Sequence, residues 1–356
     1  MNKICFITLD NIFLTPYLHK YISQINRSTT EVDVLSWDKF LKKETLSGCN
    51  IISYSKSVNN KSFISKVVGY YGYSRFIKRL LKKNNYDGVV FLQTRGSLLV
   101  KKLIMKKYKG KFIIDVRDYT YENKPFIKKA IGSIFDNSWG VVISSEGYKS
   151  FLPERDYILV HNSPNLKVTE VVRNEKAAST PLVISYIGLI RFYDQCILTI
   201  ERFKNDERFS LKFIGAGSSF LENYCKKNKI NNVETVDYFE PSKTLEFYNN
   251  SDIVFNLYGN NSPFLDYALS NKLYYAALLN KPILVSPNTY MEKLSKEYGF
   301  GLTVDLNDPL CANKLFFEYY NIDFLKLGNS TTAFMTKVSY DNKVFEEFIQ
   351  EFYANV

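Results

Sequence analysis

The sequence predicts an α/β protein with two doubly wound, Rossmann-like domains in tandem. Short β-rich runs alternate with helical patterns through the first half, a polar segment with two prolines interrupts them at residues 163–181, and the alternation then restarts. Such alternation is typical of parallel sheets covered by helices. We therefore expect an N-terminal domain at 1–168, a second domain at 169–339, and a C-terminal helix at 340–356 that packs back on the first.

The strands of the first domain are predicted from runs rich in β-branched and aromatic residues, and its helices from the segments of helical periodicity between them. The predicted strands are 3–9, 31–37, 88–94, 111–117, 140–146 and 156–162. The predicted helices are 15–26, 62–84, 97–108 and 124–137.

The second domain shows the same alternation after the polar segment. Its predicted strands are 182–188, 210–217, 233–239, 252–259, 282–286 and 301–306. Helical patterns lie at 194–205, 241–249, 309–320 and 340–354. Three more are a pattern from 218 to about 228, one that begins near 270, and one that follows the strand 282–286 and ends at 298.

Composition excludes several classes of protein. The chain has 356 residues, of which 46% are hydrophobic, which is enough for two cores. Its apolar runs are far shorter than the roughly 18 residues that span a bilayer, and its N-terminus lacks a leader pattern, so we expect a cytoplasmic protein. Five scattered cysteines and two distant histidines indicate neither a disulfide framework nor a metal site, and we expect no metal and no cofactor.

Charge is distributed unevenly between the two halves. Residues 1–168 contain 28 Lys and Arg against 13 Asp and Glu, whereas residues 169–356 contain 19 against 23. A basic first half suits an anionic membrane surface, a nucleic acid or an anionic small molecule, and solvated surface lysines are the ordinary alternative. Segments 74–83, 100–111 and 124–135 combine cations with apolar residues at helical spacing, as interfacial segments do.

Candidate binding residues follow the strands of the second domain, because open parallel sheets bind ligands at the carboxyl ends of their strands. These candidates are Gly188 and Arg191 after the first strand, Gly215 and Gly217 in FIGAGSS, and Tyr258 and Asp266 in NLYGNNSPFLDY. Glycines at such turns serve tight packing more often than phosphate binding, so the GxG turn is a weak signal by itself.

The helix that begins near Ser270 carries a cation in an unfavourable place. Ser270 can cap the helix, but Lys272 in its first turn opposes the helix dipole. A bound diphosphate would resolve this conflict; alternatively, Lys272 points to water. Asn271, Lys272 and Tyr275 share one helix face, which we expect to line the same site, although an aromatic residue at this spacing is more often core.

The segment SNKLYYAALLNKPILVS resembles the donor-binding segment of two-domain GT-B glycosyltransferases of the retaining, family-four type. The matching residues are Asn271, Lys272, Leu273, Tyr274, Lys281 and Pro282. The segments YIG (186–188), FIGAG (213–217) and SDIVFNLY (251–258) resemble successive strands of that family, DVRDYTYE (115–122) resembles its acceptor-binding half, and HNSPN (161–165) the end of that half.

The resemblance implies a GT-B fold with an interdomain cleft and a nucleotide-diphosphate sugar held by the second domain. Arg191, Lys272 and the backbone amides near Gly215 to Gly217 would stabilise the leaving diphosphate. Asp118 would be a catalytic polar contact from the first domain, with Asp10, Asn11 and Arg117 on the acceptor side. Alternatively, Asp118 forms an ordinary surface ion pair or caps a strand end.

The sequence also departs from that family. Its usual pair of glutamates, eight positions apart, falls on Tyr267 and Tyr275, where Asp266 could replace the first carboxylate. The family's diphosphate-binding Arg and Lys fall on Leu189 and Asp194, which makes Arg191 a displaced candidate. The first loop, TLDNIFLTP, lacks the usual pair of glycines.

The expected function is transfer of a sugar to a lipid-linked saccharide acceptor in bacterial-type surface polysaccharide synthesis, such as that of capsule or O-antigen. We expect the enzyme to retain anomeric configuration and to lie at the inner face of the plasma membrane. The alternative is a non-catalytic GT-B-like partner subunit, for which the missing glutamates argue. A nucleotide-sugar 2-epimerase fits poorly because histidines are few, and no nucleic-acid-binding motif is present.

Overall fold

A computed structural model describes residues 1–58, 62–164 and 181–356. The chain divides into two compact units: the first comprises Met1–His161 with Tyr340–Val356, and the second comprises Asn162–Ser339. The predicted division at residue 168, and most of the predicted linker 163–181, lie outside the described residues. Residues 340–356, which we expected to pack on the first domain, belong to the first unit.

The first unit contains a sheet of seven parallel strands in the order β3-β2-β1-β4-β5-β6-β7. The strands are β1 (Asn2–Ile7), β2 (Thr30–Asp38), β3 (Asn50–Ser55), β4 (Gly88–Phe91), β5 (Phe112–Val116), β6 (Gly140–Ile143) and β7 (Ile158–Leu159). Strands such as GVVF and FIIDV are fully buried, because helices cover both faces of such a sheet. The helices are α1 (Leu18–Ile22), α2 (Phe63–Lys83), α3 (Thr94–Leu99), α4 (Lys101–Lys107) and α5 (Pro125–Phe135).

Two local features of the first unit differ from the sequence prediction. Strand β3 was not predicted, because NIISYS is a mostly polar, partly exposed edge strand whose pairing with β2 comes from the rest of the sheet. The helix predicted at 97–108 begins earlier and is divided into α3 and α4 at Val100, whose φ of −127° and ψ of 14° interrupt the helix.

The second unit has six parallel strands in the order β10-β9-β8-β11-β12-β13. They are β8 (Leu182–Ile187), β9 (Phe209–Ile214), β10 (Val233–Val236), β11 (Ile253–Asn256), β12 (Ile283–Val285) and β13 (Gly301–Thr303). The helices are α6 (Tyr193–Phe203), α7 (Ser218–Lys227), α8 (Thr244–Asn249), α9 (Pro263–Asp266), α10 (Asn271–Leu278), α11 (Tyr290–Glu297), α12 (Cys311–Tyr320) and α13 (Phe324–Asn355). The strand order reverses between β8 and β11, as it does between β1 and β4, and ligands of doubly wound sheets bind at such points.

Helix α13 belongs to both units. It has 32 residues, although the sequence predicted a helix only over 340–354. Phe334 and Val338 join a core cluster of the second unit, whereas Phe345 and Ile349 join the core of the first. In the first unit, the imidazole Nε2 of His161 lies 3.0 Å from the Asp341 carboxylate.

No helix in the described ranges is long and apolar enough to cross a membrane. The same residues contain no group of three or more His, Cys, Asp or Glu side chains that could hold a metal ion.

Candidate active site

In the second unit, glycines allow the chain to turn closely at the carboxyl ends of β8 and β9. Gly188 has a φ of +112° and Gly215 a φ of +140°, a region that other residues rarely adopt. A Cβ atom on Gly215 would overlap the carbonyl oxygen of Gly188. A Cβ atom on Gly188 would lie 3.7 Å from the amine nitrogen of Lys272. The two glycines therefore leave room for close backbone packing beside Lys272.

The start of α10 is fixed to the end of β11. The Ser270 hydroxyl accepts a hydrogen bond from the backbone N–H of Lys272 at 3.2 Å, as a helix cap does. The same hydroxyl donates to the side-chain oxygen of Asn256 at 2.7 Å. Asn271, the first helical residue, is exposed. These bonds hold the helix N-terminus at the strand ends.

Lys272 is a buried cation without a carboxylate partner among the described residues. Only 6% of it is exposed, its amine donates to the carbonyl oxygen of Ile187, and its nitrogen lies 4.2 Å from the centre of the Tyr186 ring. The alternative that Lys272 points to water is therefore wrong. Burial lowers the pKa of Lys272 to about 7, because the charged form loses its hydration. An anion at this position would restore the charge.

Tyr186 also organises the loop after β8. Its hydroxyl donates to the carbonyl oxygen of Leu189 at 3.0 Å and accepts from the backbone N–H of Arg191 at 3.1 Å. Arg191 itself is exposed. Tyr258 packs on the same cluster, with ring centroids 5.7 Å from Tyr186 and 4.8 Å from Phe192. Tyr258 thus supports the loop as part of an aromatic cluster.

The GxG turn is occupied by a carboxylate of the chain itself. The backbone N–H groups of Gly217 and Ser219 donate to Asp237 at 3.0 and 3.2 Å. The N–H of Gly215 donates to the carbonyl oxygen of Val236. Asp237 therefore supplies the negative charge that the start of α7 favours. The amides of Gly215 and Gly217, which we expected to face a diphosphate, already have acceptors within the chain. Helix α10, by contrast, begins with a cation.

The positions of the two family glutamates have a different chemistry here. The Tyr275 ring stacks on Tyr248, with centroids 4.5 Å apart and planes within 14° of each other, and burial raises its pKa. Tyr275 is thus half-buried at the edge of a hydrophobic cluster. Beside Tyr267, the Asp266 carboxylate has one buried oxygen that no described residue hydrogen-bonds.

A polar pocket of about 190 Å³ lies in the first unit at the carboxyl ends of β1 and β4. This is the point at which the strand order of that sheet reverses. The pocket is lined by Leu9, Asp10, Lys39, Tyr70, Gln93, Thr94, Arg95, Arg117, Asp118 and Thr120.

Asp10 and Asn11 are adjacent in sequence but have different surroundings. The Asp10 carboxylate lines the pocket and accepts from Lys39 at 2.6 Å and Gln93 at 2.8 Å. Asn11 is fully buried; its amide donates to Asp38 and Glu44, and its oxygen accepts from the backbone N–H of Lys39. Asn11 does not line the pocket. Its side chain instead joins the loops that follow β1 and β2.

Arg117 and Asp118 follow β5 and both line the pocket. The Arg117 guanidinium is buried, donates to Asp115 at 2.9 Å and lies 4.3 Å from the centre of the Tyr17 ring. Burial lowers its pKa, the Asp115 carboxylate raises it, and the net shift is upward. Asp118 is exposed. The Arg117 side chain thus carries a permanent positive charge in the pocket wall.

Several residues of both sites were not singled out from the sequence. Lys39, Gln93 and Arg95 each follow a strand of the first unit, so their position after a strand was an available signal. Tyr186 and Asp237 were not recognisable, because their roles depend on contacts with residues that are distant in sequence.

No protein-family model matches the sequence, and no curated protein matches it. Solved structures do match. A sucrose-phosphate synthase from Thermosynechococcus elongatus is 10% identical with a TM-score of 0.71, covering 100% of each chain. HepE of Anabaena, in complex with UDP, is 8% identical with a TM-score of 0.67, covering 99% of this chain and 100% of its own. WaaG, a glycosyltransferase involved in lipopolysaccharide biosynthesis, is 11% identical with a TM-score of 0.65, covering 97% and 99%. The chain therefore has the GT-B fold.

Proposed function

We propose that the protein is a retaining glycosyltransferase that moves a sugar from a nucleotide-diphosphate sugar to a lipid-linked saccharide acceptor. The observation that carries the proposal is Lys272, a buried cation that lacks a carboxylate partner in the described chain and lies at the strand-order reversal of a doubly wound sheet. The diphosphate of the donor would supply the negative charge that this position lacks.

The proposed chemistry needs little more than charge stabilisation and positioning. The bond between the anomeric carbon and the diphosphate oxygen breaks, and a bond to an acceptor hydroxyl oxygen forms. The acceptor hydroxyl attacks from the face that the diphosphate leaves, which retains the configuration without a protein nucleophile. Its proton passes to the leaving phosphate, so no protein base is required. Lys272 and the positive end of the α10 dipole would stabilise the developing charge, and the exposed Arg191 would add a second cation.

The remaining residues of the second unit would hold the rest of the donor. Because Gly188 has no side chain beside the Lys272 amine, the diphosphate would approach Lys272 there, and the stacked Tyr275 would offer a ring or a hydroxyl to the nucleoside. Asp266, with one unbonded oxygen, would contact the sugar in place of the family glutamate. The UDP bound by HepE supports this class of donor.

The first unit would bind the acceptor in its polar pocket. Asp10, Gln93 and Asp118 offer groups that accept or donate hydrogen bonds to sugar hydroxyls, and Arg117 offers a fixed positive charge. No cofactor or metal is part of the proposal. The involvement of WaaG in lipopolysaccharide biosynthesis supports an acceptor of surface polysaccharide synthesis. The proposal places this acceptor at the inner face of the plasma membrane.

A specific observation favours a second candidate, a non-catalytic partner subunit. Tyrosines occupy both positions of the family glutamates, and Tyr275 is stacked against Tyr248. Such a subunit would bind a nucleotide-sugar without transferring the sugar.

A thermal-shift screen of UDP, GDP and dTDP sugars tests the donor site, because a ligand of the native state raises its stability. We expect a hit that Lys272→Met abolishes. Lys281→Met is the matched control, since Lys281 is also a buried lysine of this unit but donates to the carbonyl oxygens of Asn249 and Ser251. An unchanged hit in Lys272→Met would remove α10 from the site. Binding of the hit without turnover on extracted lipid-linked glycans would favour the partner subunit.

A further inference from the structure

The basic segments predicted to face a membrane have apolar residues that largely face the core. Ile77 and Leu81 in 74–83 and Ile104 in 100–111 are fully buried. In 124–135, Phe126 is 75% exposed, but Ile131 and Ile134 are buried. The helical periodicity of these segments therefore reflects core packing, and an apolar membrane-facing surface must be sought elsewhere.

The first turns of α2 expose a continuous apolar face. Phe63 is 80% exposed, Ile64 74%, Val67 49% and Tyr71 65%, and this spacing places them on one side of the helix. Packing on the other side prevents the helix from rotating to bury them.

Trp37 packs against the flank and the opposite side of α2, which carry Tyr70, Tyr73 and Gly69. The Tyr70 and Tyr73 rings lie 5.2 and 5.3 Å from the Trp37 ring. Gly69 lets the helix approach so closely that a Cβ atom there would lie 2.7 Å from the indole. The exposed face is therefore fixed outward.

Two further aromatic residues lie at the same edge of the sheet. Phe13 follows β1, Phe40 follows β2, and α2 follows β3, so all three segments begin at the carboxyl ends of neighbouring parallel strands. Phe13 and Phe40 are more than half exposed, and their ring centroids are 5.6 Å apart. We call these residues the apolar rim: Phe13, Phe40, Phe63, Ile64, Val67 and Tyr71.

The surroundings of the apolar rim are basic. Lys66 lies among the rim residues of α2, the Arg75 guanidinium lies 6.0 Å from the centre of the Tyr71 ring, and Lys42 and Lys43 follow Phe40. Helix α2 contains no Asp or Glu. An exposed apolar surface flanked by cations matches the two attractions of an anionic bilayer, which are burial of apolar side chains at the headgroup boundary and neutralisation of lipid charge.

The apolar rim adjoins the polar pocket through one helix. Tyr70 of α2 lines the pocket, where its hydroxyl accepts a hydrogen bond from Arg95 at 2.9 Å, and its sequence neighbour Tyr71 belongs to the rim. We propose that the apolar rim docks the first unit on an anionic lipid bilayer and so presents the pocket to polar heads carried by lipids. Identifying such a head with the acceptor rests on the proposed function, whereas the docking does not.

Vesicle flotation of the full chain tests the docking, with phosphatidylcholine vesicles and vesicles enriched in phosphatidylglycerol. We expect binding to the anionic vesicles, and a loss of roughly tenfold or more in Ile64→Ser/Val67→Ser. The matched control is Phe317→Ser/Leu325→Ser, which removes two exposed apolar residues of the second unit, 66% and 79% exposed. The control should bind as the wild type does.

Three results would overturn the proposal: no binding of the wild type, equal binding of the rim variant, or equal loss in the control. Light scattering tests whether the apolar rim instead binds a second copy of the chain. A wild-type dimer that the rim variant converts to a monomer would show that it does, and would overturn the docking. The nucleotide-sugar screen separates the two proposals. The rim variant should keep its nucleotide-sugar hit, and vesicle binding without any such hit would reject the donor site alone.

Discussion

The amine nitrogen of Lys272 lies 4.2 Å from the centre of the Tyr186 ring, and this ring face takes the place that a carboxylate would have beside a buried lysine. A ring face attracts a cation more weakly than a carboxylate does. The protonation of Lys272 therefore depends on whether an anion is bound.

The affinity for an intact nucleotide-sugar should depend on pH through Lys272. Burial lowers the pKa of the free site to about 7, and a bound diphosphate should raise it, so that binding takes up a proton above that pH. We expect an affinity that is level below pH about 7 and falls by up to about tenfold per pH unit above it. Calorimetry over a pH series, in buffers of different ionisation enthalpy, measures both effects. Any residual binding by Lys272→Met should show no such slope, and a wild-type affinity that rises with pH would contradict the assignment.

Gly215→Ala should destabilise the protein severely. The new methyl group would overlap the carbonyl oxygen of Gly188, and the φ of +140° disfavours any side chain. Gly110→Ala is the control, since Gly110 also has a positive φ but open space around its Cβ position. We expect a loss of about 1 kcal/mol for Gly110→Ala and about 3 kcal/mol or more for Gly215→Ala in chemical denaturation. Equal losses in the two variants would mean that the close packing of Gly215 on Gly188 contributes nothing to the free energy of unfolding.

The different roles of Asn11 and Asp10 can be separated by mutation. Asn11→Ala leaves Asp38, Glu44 and a backbone N–H without their shared partner, so we expect a loss of about 2–3 kcal/mol in unfolding free energy. Asp10→Asn should change the unfolding free energy by less than about 1 kcal/mol, because the pair with Lys39 is partly exposed. It should nevertheless reduce transfer to the acceptor. Full activity in Asp10→Asn would exclude the pocket carboxylate from acceptor binding.

The C-terminal half of α13 should be essential to the first unit. Phe345 is 1% exposed within that core, whereas Tyr340, on the same helix, is 64% exposed. We expect Phe345→Ala to cost about 3–5 kcal/mol and Tyr340→Ala less than about 0.5 kcal/mol. Hydrogen exchange should localise the loss for Phe345→Ala to β1 and β2. Loss of protection confined to the second unit would contradict this role.

The parts of the fold that could be predicted were those that depend on the local sequence alone. Strands such as GVVF are buried on both faces and read as apolar runs, and Ser270 caps α10 by its position alone. Strand β3 was missed because its polar sequence becomes a strand only beside β2. The first half of α13 was missed as well, although Phe334 packs in a core cluster.

The predictions for the sites divide in the same way. Lys272 was recognisable because a cation in the first turn of a helix conflicts with the helix dipole. The engagement of the Gly217 amide by Asp237, and the fully bonded Asn11, depend on contacts between distant segments. The sequence alone could not distinguish Asn11, which joins two loops, from Asp10, which lines the pocket.

The two-unit course of α13 has a consequence for biosynthesis. Residues 340–356 complete the core of the first unit but leave the ribosome after the entire second unit. Although the chain is made from its N-terminus, the first unit cannot reach its final packing first. In nascent chains that end before residue 340, the apolar surface that later binds Phe345 and Ile349 should therefore stay exposed while the second unit folds. Such an exposed apolar surface is what chaperones bind.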